Sequence, residues 1–339
     1  MSDLFTRYIS PNIGAQGPSG GLTAAMPMDD KAILFKASSI LYFNGVGPDI
    51  TGANDQYSQP LLITATVGCS NQKSLVFMPN GLMFEFSSNA GNQIWLLGRD
   101  LSTNYIGAPV EKYTQNASIL SAVNIPGTNQ VRFTLSSGIT LMYDYYFQQW
   151  GTFTNIDAQS SCLYEGLHTF INSSSQVLQE TPGQYLDGTN PVTVSFKTSW
   201  VNLMGIQGYQ RAYFFYLLGK YISPHKLLCE VSYDFNDSPV QGSLIVPTNF
   251  NPTYGSAEPN GQQTQYGQES PYGGNSNVES WRVFLTKQRC SAFQITVTEY
   301  FDPAYNTIAG EGLTLSGLNL IVAAKQKFRT QSAAESIGG

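Results

Sequence analysis

At 339 residues the chain exceeds one ordinary domain and can bury a sizeable core, so two or three units are expected. Charged residues make up only 12% while aromatics reach 13%, a mixture that favours pleated, turn-rich β structure over helices. The net charge of −6 is uneven, with 7 basic against 13 acidic residues up to Asn190 and 10 against 10 beyond it; an acidic surface repels nucleic acid, which argues against a reader of DNA sequence.

The opening residues 1–30, rich in Gly, Pro, Ser and Ala and without periodicity, read as an arm that would be disordered in isolation. They lack the basic and apolar regions of a standard export signal, and no apolar run has the length of a membrane helix. From residue 31 the pattern turns to hairpins. "AILFKASSILYF" (32–43) is strand, turn, strand; "KSLVFMPNGLMFEFSS" (73–88) repeats it around Pro79-Asn80-Gly81, because Asn and Gly tolerate positive φ. "NQIWLLG" (92–98), which holds Trp95, adds a third strand. "VRFTLSSGITLMYDYYFQQWGTF" (131–153) turns at Ser136-Ser137-Gly138, and "SCLYEGLHTFINSSSQVLQE" (161–180) bends at Glu165-Gly166.

Loose repetition of short antiparallel sheets is the sequence form of β-propeller blades, and apolar residues on both strand parities suit sheets covered on both faces. Residues 31–186 therefore read as a partial or complete β-propeller, with hairpins of a sandwich as the alternative. Tyr143, Tyr145, Phe147 and Trp150 are expected to be blade packing, and Asp144 to take backbone N–H groups in a turn.

The turn cluster "YLDGTNP" (185–191) meets the charge shift and marks a boundary. Beyond it, residues 187–339 alternate as strands of a β-sandwich-like domain, with the blocks 281–301 and 313–327 able to pair with each other. The low-complexity stretch 251–277 reads as a long loop set against another subunit. Arg211 and Arg289 are expected to make salt bridges or bonds to backbone carbonyls.

Poised chemistry is scarce. Cys69, Cys162, Cys229 and Cys290 form no CxxC pair and only His168 and His225 could add nitrogen ligands, so zinc is disfavoured. The cysteines read as buried, reduced small hydrophobes, with a Cys229–Cys290 disulfide as the alternative. A triad of His168 with Ser160 or Ser161 and Asp157 lacks a nucleophile elbow, so a structural histidine is preferred. Carboxylate pairs Asp144/Glu165 and Glu299/Asp302 are better explained as turn caps than as a glycosidase site. No phosphate-binding loop, dinucleotide fingerprint or calcium loop is present. No catalytic residue, cofactor or metal is therefore expected, and the protein reads as a non-enzyme.

The blocks 81–111, "GITLMYDYYFQQWGTFTN" (138–155), 205–236 with "QGYQR", and "KQRCSAFQITVTEY" (287–300) with Cys290 resemble, in that order, the tail nozzle or tail tubular proteins of short-tailed bacteriophages. The resemblance implies a virion component assembled in the host cytoplasm. It would form a hexameric ring with its own copies, meet adaptor and fibre proteins, and enclose the channel through which genomic DNA leaves, without sequence-specific binding. Larger members of that family carry more propeller sequence ahead of the equivalent of Ala32, which leaves room for blades supplied by another polypeptide. A receptor- or glycan-binding tail module, its contacts the tyrosines of 264–274, is the rival reading, and a virion-borne polysaccharide hydrolase a third.

Overall fold

The protein is seen in a computed structural model that describes residues 20–46, 57–184, 186–187, 190–203, 205, 208–221, 226–245, 279–300 and 313–328. Their regular structure is β strand in antiparallel sheets, with a few single helical turns between strands. The chain divides into two compact units, Met1–Pro182 and Gly183–Gly339.

The first unit is a series of sheets, each laid down in chain order as a meander. Strands β1 (Ala24–Met28), β2 (Lys31–Phe35), β3 (Ile40–Asn44) and β4 (Leu61–Thr64) make the first sheet. The second is β5 (Val76–Met78), β6 (Gly81–Ser88), β7 (Gly91–Gly98) and β8 (Thr103–Tyr105). The third is β9 (Ile119–Ile125), β10 (Gln130–Leu135), β11 (Thr140–Asp144) and β12 (Gln149–Phe153). The fourth has three strands, β13 (Ser160–Tyr164), β14 (Leu167–Ile171) and β15 (Val177–Gln179). Residues 24–28, which the sequence places in the arm, are thus an edge strand, paired from Ala24 opposite Phe35 to Met28 opposite Lys31. Residues 1–19 lie outside the described residues.

Alternation explains why these sheets stack. In β6, Leu82 and Phe84 point one way and meet Ile33, Phe35 and Ile40 of the first sheet, with the Phe35 and Phe84 ring centroids 5.0 Å apart. Met83 points the other way, with Ile94 of β7, into Val131, Phe133 and Leu141 of the third sheet. A strand that is apolar on both parities must be covered on both faces, and the second sheet is. The turns obey local sterics. Gly81 has φ +142°, and a Cβ there would stand 2.0 Å from the Leu97 carbonyl oxygen. Gly81→Ala should therefore cost on the order of 3 kcal/mol in urea denaturation, since neither the backbone conformation nor the strand opposite can yield. At the β13–β14 bend both Glu165 (φ +52°) and Gly166 (φ +78°) are left-handed, the requirement of a type I′ turn.

The second unit opens with the short pair β16 (Leu186–Asp187) and β17 (Asn190–Pro191). It is dominated by two sheets. One has the order β18 (Ser195–Lys197), β24 (Phe293–Tyr300), β20 (Lys226–Tyr233), β21 (Gln241–Ile245). The other is centred on β19 (Gly208–Tyr221), with β22 (Glu279–Phe284) and β23 (Arg289–Cys290) on one side and β25 (Leu313–Phe328) on the other. Phe215 and Leu217 from the second sheet share one core with Cys229, Val231, Phe293, Ile295 and Val297 from the first. The expected pairing of the last two blocks is corrected: β24 pairs β18 and β20, while β25 pairs β19. Alternation identifies a strand with one buried face but not its partner. The loop 251–277 lies outside the described residues.

Candidate functional site

The aromatic block of the third sheet splits in two. Tyr143 is buried and Trp150 half-buried, their ring centroids 4.8 Å apart, and the Trp150 indole donates to the Ile106 carbonyl at 3.0 Å. Tyr145 lies partly buried against the same core. Phe147, expected to pack, is instead 67% exposed beside Tyr146 at 73%. Asp144 is the reason: its Oδ1 accepts from the N–H groups of Tyr146 and Phe147, both at 2.9 Å, so the strand ends there and a tight turn lifts both rings off the sheet. Trp95, in the second sheet, is half-buried between Phe86 and Tyr105 and donates to Gln93.

Between the third and fourth sheets the filling is polar. Arg132, 5% exposed on β10, faces His168, 1% exposed on β14. Its guanidinium donates to His168 Nδ1 at 3.1 Å and grips Glu180 with both arms, at 2.7 and 3.3 Å, while stacking over Phe153 at 4.8 Å. A guanidinium can only donate, so Nδ1 must accept and the histidine proton resides on Nε2. Burial, then the adjacent guanidinium, pushes the His168 pKa down to about 4. The ring is therefore neutral, held at Nδ1 by Arg132, and its buried Nε2 has no hydrogen-bond partner among the described residues. Reading the sequence missed Arg132 and Glu180; the one signal was a charged residue on the alternate parity between Val131 and Phe133.

A second buried charge site joins the second and third sheets. Glu85, 2% exposed, accepts from the Ile119 N–H at 3.2 Å, and burial raises its pKa to about 7. Asn71 donates to the Ile119 carbonyl and Asn92 to the Ala117 carbonyl, so three side chains stitch these sheets at the start of β9.

The conceivable triad is not assembled. Asp157 Oδ2 is taken by the Ser173 amide and hydroxyl, and His168 Nδ1 by Arg132. Glu299, 4% exposed, accepts from the amides of Val194 and Leu313, both at 3.1 Å, which makes it a clasp between segments. Glu165 is exposed at its turn, and Asp302 and His225 lie outside the described residues. Among the described residues no group of three or more His, Cys, Asp and Glu side chains is placed to hold a metal ion.

In the second unit Arg211 and Arg289 stand directly opposite each other on β19 and β23. Among the described residues neither forms a salt bridge. Arg289 lies over the Tyr209 ring at 4.2 Å and Arg211 over Tyr213 at 5.7 Å. Like charges facing across a ladder repel, and turning each onto an aromatic face relieves that cost. Next to them Cys290 is buried and paired in register with Gln210, its thiol pushed up to about 11 by burial. All four cysteines are free; Cys69, Cys229 and Cys290 are buried, but Cys162 is exposed, on the uncovered face of the fourth sheet.

Several acids of the first unit stand at its hairpin turns, while Glu85 is buried within β6. Asp29, Asp30, Asp100, Asp144 and Glu165 occupy hairpin turns, whereas the leading strands β5, β9 and β13 carry no charge. Asp100 caps its own turn through the Ser102 amide and hydroxyl, and Asp29 pairs with Arg99. Among the described residues no helix is long and apolar enough to cross a membrane.

No protein-family model matches the sequence, and no curated protein does. A solved structure similar in part is the crystal structure of S. cerevisiae core factor at 3.2 Å, with 7% sequence identity, a TM-score of 0.29, and coverage of 82% of this chain and 46% of that one. The chain spans less than half the length of that structure, and likeness at this level carries no argument.

Proposed function

We propose that the protein is a structural virion component of a short-tailed bacteriophage tail, a nozzle-type subunit. Six copies form a ring that encloses or closes the DNA exit channel, supports host attachment and meets adaptor and fibre proteins. In this reading the first unit is a partial or complete β-propeller and the second a β-sandwich-like domain. The observation that supports it best is the chain-ordered series of antiparallel meanders stacked face to face through two apolar cores. The ordered blocks that resemble nozzle proteins add to it. The buried carboxylates Glu85 and Glu299 accept from backbone amides and His168 Nδ1 accepts from Arg132, which suits a building element better than an enzyme.

DNA carries one charge per about 1.7 Å of axis, so a surface that repels phosphate lets it slide. The acids at the hairpin turns would supply such a rim. Charge reversal of Asp30 and Glu165 to lysine, followed in assembled particles, tests this: ejection should become slower and salt-dependent at normal particle yield. Ejection unchanged at every salt concentration would remove the electrostatic part of the reading. Tyr146 and Phe147, exposed together on a fixed turn, favour a second reading as a receptor- or glycan-binding module. Loss of cell-surface binding in a Tyr146→Ala, Phe147→Ala variant that still assembles would favour that reading.

A further inference from the structure

Where the leading strands of the third and fourth sheets meet the turn that precedes the second, there is an open cleft of about 190 Å³. Lys73 comes from the 3₁₀ turn Gln72–Ser74, Ser121 from β9, Gln159 from the segment before β13, and Ser160 and Ser161 from β13 itself. Three separate stretches of chain, far apart in sequence, thus converge on one polar hollow.

Its lining is unusual for this unit. Ser121 is 5% exposed, yet its hydroxyl has no hydrogen-bond partner among the described residues and borders the cleft. Ser160 and Ser161, consecutive on β13, present their hydroxyls to opposite faces, so one of them serves the cleft; among the described residues neither hydroxyl, nor the Gln159 amide, nor the Lys73 ammonium makes a side-chain hydrogen bond, while Gln72 is occupied by both backbone groups of Ala25. Among the described residues no carboxylate lines the cleft, in a unit that carries an excess of acid. Glu85, buried in β6, spends its Oε1 on the Ile119 amide. No aromatic ring among the described residues lines the cleft either, so they offer no platform on which a sugar or a base would stack.

We infer that this cleft is a binding site for a phosphate group. An ammonium contributes a point charge and three donors, and hydroxyls from two strands add donors around it, which together match the several acceptor oxygens of a compact tetrahedral anion. The volume admits such a group with a few further atoms. The inference stands apart from the nozzle reading, since it needs only the first unit's local geometry.

Two sources carry this chemistry, free phosphate and the phosphodiester of a nucleic acid. The full chain is titrated with inorganic phosphate at constant ionic strength, and separately with a short oligothymidylate, by calorimetry. The expected result is saturable phosphate binding in the millimolar range that falls at least fivefold in Lys73→Gln and in Ser121→Ala. It should persist in Lys112→Gln, an exposed lysine elsewhere in the unit. Oligothymidylate binding lost in the same two variants would identify the backbone of a nucleic acid as the source; oligothymidylate silence beside phosphate binding would identify a small phosphate. Far-UV circular dichroism identical to the parent keeps the variants interpretable. Absence of saturable phosphate binding, or binding that Lys73→Gln and Ser121→Ala leave unchanged, would overturn the inference.

Discussion

Replacing Glu85 with glutamine should reveal a pH dependence of stability that the parent protein hides. Glu85 has its pKa raised by burial from 4.5 to about 7. Its folded form holds the proton more tightly than the unfolded chain does. That contribution is fully present below about pH 4.5 and is lost as pH rises through 7, a change of about 3 kcal/mol. His168 runs the other way. Burial and Arg132 lower it from 6.5 to about 4, so its contribution is full above pH 6.5 and is lost as pH falls through 4, again by about 3 kcal/mol. Across pH 4.5–6.5 the two slopes oppose. Glu85→Gln, which keeps an oxygen for the Ile119 amide, should leave stability climbing with pH over that window. His168→Gln, whose amide oxygen can still accept from Arg132, should leave it falling. The double variant should return to a flat profile. Urea denaturation from pH 4 to 8 reads all four proteins, and single variants with the parent's profile would show that neither group is desolvated as described.

Phe84→Ala should cost about 3–5 kcal/mol, the range for truncating a fully enclosed large aromatic. Phe84 is 0% exposed and fills the contact between the first and second sheets, against Phe35. Its companion Phe77 lies on the neighbouring strand but is 37% exposed under the Arg99 guanidinium. Phe77→Ala should therefore cost less than Phe84→Ala, about 1–2 kcal/mol, since roughly a third of its ring already stands in water. Equal losses in urea denaturation would mean that the first two sheets do not share the core described.

The hairpins were legible where turn chemistry and alternation agreed: Asn80-Gly81, Ser136-Ser137-Gly138 and Glu165-Gly166 each stand at an observed bend. The same signals failed where a strand had no tight turn to announce it. β1 holds Pro27 and follows a Gly-rich stretch, so it read as arm; as an edge strand it tolerates the missing donor. β8 spans only three residues, and β9 is entered through a helical turn at Glu111–Thr114 rather than a hairpin. Partner choice in the second unit was equally hidden, because β24 and β25 both alternate and only the shared core decides which sheet each joins. Of the polar sites, the Asp144 turn follows from local geometry. The Arg132, His168 and Glu180 cluster depends on residues up to 48 positions apart, which no local pattern encodes.

Mass spectrometry of intact purified particles, with absolute copy number for this chain, decides whether it is a ring-forming structural subunit. Six copies per particle are expected, located by reconstruction as one ring around the tail axis. Absence of the chain from particles, or a multiple of three copies carried on fibres, would contradict it.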